Sequence, residues 1–425
     1  MPNHLQERDK EVVWHPFTPL LQDLPVLPIR RAKGVYLYTD SGRAILDAVS
    51  SWWVNIHGHS NEYIAEAISR QARELEHVIF AGFTHEPAVK LAEGLLNILP
   101  SRQAKVFYSD NGSTAVEVAL KMAFQYWHNK GGARTKVIAL EGAYHGDTFG
   151  AMSVGDRNAF VQPFKPFLFE VSSLPFPDGE NNEALMARFR KLVDTGEVAA
   201  FIFEPLIQGS GGMRMYPAAV LDELLRIARE AGVICIADEV MTGFGRTGRI
   251  FASDYLQHQP DIFCLSKGLT GGTMPLGVTT CTEEIQAAFR DPDIMKTFFH
   301  GHSFTANPLA CAVANASMEL LLSDDCQSSI ARIAYQQSLF ADRLSDHPKV
   351  QNARSLGTIM ALDIRTEEGT SYFNSKRNRL YTFFLDKDIL LRPLGNTLYI
   401  LPPYVIKEEE LDRIYSAIEE LLDKL

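Results

Sequence analysis

The stretches VICIAD (233–238) and DIFCLSK (261–267) decide the fold. Each is a nearly continuous apolar run that closes on a reactive polar residue, Asp238 in the first and Lys267 in the second. An apolar run without alternation suits a strand buried on both faces, as in a parallel sheet covered by helices. Working outward from this pair, AAFIFE (199–204), KVIALE (136–141) and KVFYS (105–109) repeat the pattern. Periodic apolar positions predict helices over 61–78, 87–99, 115–127, 217–231 and 308–322, with two more over 330–344 and 407–425. Pro217 and Pro308 would occupy first helical positions, Asn307 would cap the second of these helices, and Gly232 would stop the first. The alternation predicts an α/β protein with a mostly parallel central sheet covered by helices, forming a large domain over 56–321. Residues 1–55 and 322–425, with shorter strands at 359–364 and 398–401, are read as a smaller α+β domain built from both chain ends. The stretch SLPFPDGENN (173–182) reads as a surface loop.

Composition narrows the class. The 425 residues are about three times the ~150 typical of one domain, and 46% of them are hydrophobic, enough for a sizeable core. Lys and Arg number 41 against 52 Asp and Glu, a net charge of −11. That balance argues against nucleic acid and anionic membrane surfaces, which select for basic patches. The five cysteines form no CxxC pair and sit mostly in apolar runs, the usage of a reduced, cytoplasmic chain. No apolar run reaches the ~18 residues that cross a bilayer, and the start of the chain offers no signal-like core.

In an open parallel sheet the ligand site lies beyond the carboxyl ends of the strands. There the sequence places Gly112 and Ser113 at the opening of a helix, the GAYHGD turn (142–147), Glu204, Asp238 and Lys267. Pyridoxal phosphate chemistry needs this set. A lysine must form a Schiff base with the aldehyde, and a buried carboxylate must keep the pyridine nitrogen protonated. The phosphate needs backbone N–H groups at a helix N-terminus together with hydroxyls. Lys267, Asp238 and Gly112-Ser113 meet these demands in turn, and Tyr144 could cover the ring. Singly, each has a plainer reading: a solvated lysine, a turn-forming aspartate, an ordinary helix cap. Their joint occurrence at strand ends is what argues for a site.

Other motifs carry less. GFGRTG (243–248) matches GxGxxG literally, which would suit a nicotinamide oxidoreductase, but no periodic helix follows it. The pairs His57/His59 and His300/His302 lack companions for a metal set and read as loop histidines. A cofactor-free interaction protein would have no need to keep Lys267, Asp238 and Ser113 together.

The segments IADEVMTGFGRTGRIFA (236–252) and LSKGLTGG (265–272) resemble the class III (omega) aminotransferases of the fold-type I pyridoxal phosphate enzymes, and the resemblance runs from WHPFTP (14–19) to LPPY (401–404). It implies that Asp238 meets the pyridine nitrogen, that Lys267 is the Schiff-base lysine, and that a homodimer shares its active sites. SSWW (50–53) and YHGDT (144–148) resemble the biotin-pathway branch, which implies 8-amino-7-oxononanoate as acceptor and 7,8-diaminononanoate as product. Trp52 and Tyr144 would then wall the substrate pocket, with Phe17 and Gly301 beside it, while Trp53 suits a core position better, and Arg392 would pair with the substrate carboxylate. Asp147 stands where ornithine- and aminobutyrate-type relatives carry an arginine, and Ser210 where they favour an acid, so the implied donor is cationic S-adenosylmethionine. The sequence departs from the pattern in two places. Phe17 replaces a tyrosine of HPYT. GHSF (301–304) replaces GPTF, leaving Ser303 to offer the phosphate a hydroxyl from the neighbouring subunit, while His302 resembles relatives that use lysine as donor. Open alternatives are the same reaction with lysine, another omega-aminotransferase of diamines or omega-amino acids, and an aminomutase or decarboxylase on the same scaffold.

Overall fold

Seven strands build the central sheet: β1 (Gln103–Ser109), β2 (Lys136–Leu140), β3 (Ser172–Leu174), β4 (Val198–Phe203), β5 (Ile234–Asp238), β6 (Ile262–Leu265) and β7 (Gly277–Thr282). The computed structural model describes residues 4–21, 26–100, 102–156 and 159–425. The spatial order is β1-β7-β6-β5-β4-β2-β3. Pairings among β6, β5, β4, β2 and β3 are parallel, and β7 alone runs against its neighbours β6 and β1. The expected mostly parallel sheet is therefore present.

The apolar runs have no alternation because each face of the sheet meets its own helical layer. Ile202, Ile236, Ile262 and Cys264 pack with Val116, Ala119 and Ala123 of α1 (Gly112–Asn129). Phe201, Phe203, Phe263 and Leu265 turn the other way and pack with Leu221, Leu224 and Leu225 of α2 (Ala218–Glu230). Strand β7 escaped the sequence reading because its buried residues include threonines. Their hydroxyls are satisfied internally, Thr279 donating to the Ala115 carbonyl at 2.8 Å and Thr280 to Gln103 Oε1 at 2.7 Å.

Helix ends follow the expected chemistry with small corrections. Pro308 opens α3 (Pro308–Leu321), and Asn307 caps it by accepting from the Ala310 amide at 3.1 Å. Pro217 is instead the N-cap of α2, one residue earlier than expected. Gly232 takes φ +66 just past that helix. The helix expected from 330 begins at Asp324, as α4 (Asp324–Leu344), because Ser323 caps a polar first turn that has no apolar period. The 173–182 stretch is not all loop: Ser173 and Leu174 belong to β3, a short edge strand whose serines mask it.

The chain ends meet each other. Strands Ile29–Lys33, Tyr36–Thr39 and Ala44–Asp47 form one sheet with Ile389–Leu390, which lies parallel to the last of them. Val350–Leu356, Ile359–Ile364 and Thr397–Ile400 make an antiparallel sheet. Among the described residues no helix is long and apolar enough to cross a membrane.

GFGRTG forms a closed turn followed only by a short 3₁₀ segment, Ala252–Tyr255, so the dinucleotide reading falls. The turn is a joint. Arg246 is buried and donates to the carbonyls of Pro402 (2.8 Å), Trp53 (3.3 Å) and Asn55 (3.4 Å). Gly357, at φ +58, lies so close that a Cβ there would stand 2.1 Å from the Thr247 carbonyl carbon. Gly357→Ala combines that clash with a left-handed backbone, and is expected to destabilise the protein by roughly 2–3 kcal/mol. An unchanged melting temperature for this variant would contradict the close packing of the joint.

Candidate active site

The carboxyl ends of the parallel strands open on a cleft of about 1280 Å³, lined among others by Phe17, Trp52, Tyr144, Asp147, Lys267 and Arg392. Two residues past β6, Lys267 takes φ +47, and Ser266 before it is anchored by its hydroxyl to the Leu276 carbonyl at 2.7 Å. The glycines that follow admit neighbouring backbone: a Cβ on Gly272 would lie 2.9 Å from the Val54 carbonyl carbon. The Lys267 side chain is partly open to the cleft, while its Nζ stands 4.7 Å from the centroid of the Trp53 ring. Burial of the amine pulls its pKa down to about 8, against the opposing pull of Asp238 and Glu204.

Asp238 closes β5 and is buried. Its Oδ2 lies 2.7 Å from His145 Nδ1, and its Oδ1 accepts from the Val240 amide at 3.1 Å. Since a carboxylate only accepts, His145 donates through Nδ1. His145 Nε2 is buried and has no hydrogen-bond partner among the described residues. Glu204, just beyond β4, accepts from the amides of Tyr144 (3.0 Å) and Gly209 (2.9 Å). Burial raises its pKa to about 7, with Asp238 adding to the rise and His145 opposing it. Three adjacent strands thus carry two carboxylates and an amine to one place.

The phosphate-type feature is assembled from two turns. Asn111 caps α1 by accepting from the Thr114 amide at 3.0 Å, and Gly112 and Ser113 form the first turn, where N–H groups lack intrahelical acceptors. A Cβ on Gly112 would stand 2.7 Å from Val240 Cγ1, so glycine lets the helix start beside the end of β5. Ser113 Oγ accepts from the Asp147 amide at 3.3 Å, and a Cβ on Gly146 would stand 2.1 Å from that oxygen. Tyr144 donates its hydroxyl to Asp147 Oδ2 at 2.9 Å. Across the cleft the Arg392 guanidinium lies 4.5 Å from the Trp52 ring centroid, and Phe17 packs on Trp52 at 5.8 Å.

Gly301 and Ser303 are exposed and are not among the residues that line the cleft of this chain. His57 is not a loose loop residue but a buried one, 3.0 Å from the Ser317 hydroxyl, and burial pushes it down to about 4. His59 pairs with Asp47 at 2.9 Å and His300 with Lys121 at 2.9 Å. Among the described residues no group of three or more metal-binding side chains gathers. Sequence reasoning left Trp53 to the core. It is 5% exposed, yet its ring faces Lys267 and its Nε1 donates to the Tyr399 hydroxyl at 3.0 Å. His145 was also missed as the partner of Asp238; its place inside the GAYHGD turn was the available signal.

The sequence profile of aminotransferase class-III matches residues 21–422. The chain belongs to the class-III aminotransferases. Within this family it is 48% identical over 433 residues to the adenosylmethionine-8-amino-7-oxononanoate aminotransferase of Synechococcus elongatus, with all of both chains covered. The crystal structure of the enzyme of that name from Methanocaldococcus jannaschii superposes with a TM-score of 0.92 at 37% identity, covering 98% of each chain. An amine transaminase from an uncultivated Pseudomonas species, solved in a PLP-bound form, gives 0.90 at 30% identity over 97% of this chain and 98% of that one. The apolar runs of the sequence are thus the sheet of a class-III aminotransferase.

The buried amine of this aminotransferase has a measurable consequence for folding. Between about pH 8 and the ordinary lysine value of 10.5 the unfolded chain binds the proton that folded Lys267 has lost, so stability rises with pH across that window. Below it, the folded state carries the full penalty of a charged buried amine. Lys267→Met is expected to stabilise the ligand-free protein by roughly 2–3 kcal/mol at pH 7, a gain that fades by about pH 10.5. Urea unfolding at the two pH values tests this; a variant no more stable than the wild type at pH 7 contradicts it.

Proposed function

We propose that this aminotransferase transfers an amino group to 8-amino-7-oxononanoate, forming 7,8-diaminononanoate in biotin biosynthesis, with pyridoxal 5'-phosphate as cofactor and S-adenosylmethionine as donor. The names of full-length relatives support the acceptor and donor. The observation that carries the reading is the charge layout of the cleft, with Arg392 braced on Trp52 along one wall and Asp147 held by Tyr144 along another. A guanidinium recognises the carboxylate of the keto acid, whereas an exposed acid suits a sulfonium donor and would repel a glutamate-type one.

The residues present fit the cofactor. The unpartnered Nε2 of buried His145, the Ser113 cradle that only a glycine at 146 can cover, and the set of amine, buried carboxylate and helix N-terminus match a phosphorylated pyridine aldehyde. Lys267 would hold it covalently, Asp238 would face its ring nitrogen, Gly112 and Ser113 would receive its phosphate, and Tyr144 would cover its face. When bound, pyridoxal phosphate supplies an electron sink for the pair released at the donor α-carbon. Lys267, with a pKa near 8, is neutral in an appreciable fraction at neutral pH and can take the proton from that carbon and return it. His145 keeps Asp238 oriented toward the ring nitrogen. Gly301 and Ser303, exposed on the single chain, would serve the neighbouring site in a cytoplasmic homodimer, Ser303 of the partner subunit reaching the phosphate.

Holoenzyme supplied with 8-amino-7-oxononanoate and a panel of donors, with the product identified by mass spectrometry, tests the reading. Diamine formation with S-adenosylmethionine is expected, and its absence with every donor overturns the proposal. Formation with lysine alone would transfer the donor assignment to lysine. Lys267→Ala should lose turnover by ~10²-fold or more. Asp147→Asn should raise KM for S-adenosylmethionine about tenfold and leave that for the keto acid, with Arg392→Ala doing the reverse.

A further inference from the structure

The wall of the cleft that carries both tryptophans is built on unfavourable backbone. Ser50, Ser51 and Trp53 all have positive φ (+52, +61 and +67), and none is glycine. Ser51, with ψ −78, falls in the rare γ-turn region. Such backbone persists only where its surroundings over-determine it, and it gathers at sites of function.

What holds it is a pair of buried charges that transamination itself does not use. Asp47 ends the strand Ala44–Asp47 and is fully buried, at 0% exposure. Its Oδ1 accepts from the amides of Val49 (3.2 Å) and Ser51 (2.9 Å), and its Oδ2 from the Ser51 hydroxyl (2.9 Å) and from His59 Nε2 (2.9 Å). At the other end of the turn Arg246 grips the carbonyls of Trp53 and Asn55. Between these anchors the chain presents Trp52, on which Arg392 rests, and Trp53, over which Lys267 extends its amine.

We propose that Asp47 is a positioning residue of the reaction: by holding the strained Ser50–Trp53 turn it sets the two indole rings against which Arg392 and Lys267 are aimed. A carboxylate is required because it can accept four donors at once, two of them from the strained Ser51. The aspartate is fully buried and is not among the residues that line the cleft. Its effect passes through Trp52 to carboxylate recognition and through Trp53 to the surroundings of the reacting amine.

The inference rests on the roles proposed above for Lys267 and Arg392, and the test separates the two. In Asp47→Asn holoenzyme the KM for 8-amino-7-oxononanoate should rise about tenfold, equivalent to ~1.4 kcal/mol, while that for S-adenosylmethionine stays within about twofold. The pH midpoint of the bound cofactor's visible band should shift by about half a unit or more, because the lysine's surroundings have moved. Adding Ser51→Gly should recover much of both effects, since glycine adopts φ +61 without help from the carboxylate. A purely structural Asp47 would lower the melting temperature and leave the KM ratio and the band midpoint at wild-type values, and that result overturns the inference. Should Asp47→Asn fail to fold, Ser51→Ala removes one of the four bonds. It should shift both readouts in the same direction by less, and wild-type values for it also overturn the inference. A wild-type enzyme that forms no diamine overturns the proposed function instead, leaving the band midpoint as the readout that decides for Asp47.

Discussion

Everything in the site depends on bringing an amine and two carboxylates out of water at the ends of three neighbouring strands. Alone, each would be costly to bury in its charged form. Together they hold one another: Asp238 and Glu204 favour the charged amine, His145 favours charge on Glu204, and burial opposes charge on both Glu204 and Lys267. The outcome is a lysine near 8 and a glutamate near 7, both displaced toward neutrality. The double helical layer makes this possible. It keeps the strands dry on both faces, so their last residues emerge from protein rather than from solvent.

The same dryness governs what could be read from the sequence. Strands β4, β5 and β6 announced themselves because both faces are apolar, and Asp238 and Lys267 stood out as polar residues closing such runs. Strand β7 stayed hidden because its threonines satisfy their hydroxyls against α1 and Gln103, a pairing that only the folded sheet creates. Asp47 and His145 were silent for a related reason: an aspartate beside a Val-Ser-Ser stretch and a histidine in a turn acquire meaning only from partners distant in the chain. Trp53 was half legible. Its burial was foreseen, but the approach of the lysine was not, because burial and contact with a reacting group are not exclusive.

GFGRTG shows how a literal motif can be right about glycine and wrong about its purpose. Its glycines do permit close backbone approach, yet the partner is the Gly357 backbone rather than a pyrophosphate, and its arginine faces carbonyls of the protein itself. The motif serves as a packing joint between the sheet and the two chain ends.

The pairing of Ala44–Asp47 with Ile389–Leu390 fixes when the cleft can exist. The two partners lie far apart in the chain, so on the ribosome the wall bearing Trp52 and Trp53 waits, unpaired along one edge, until residues 389–390 have been made. The lysine-bearing sheet, assembled from contacts closer in sequence, can form well before that. Pairing at so great a separation closes slowly. The nascent enzyme therefore passes through a stage with a finished sheet and an unfinished mouth, during which its unpaired edge is open to capture by chaperones or by another copy of itself.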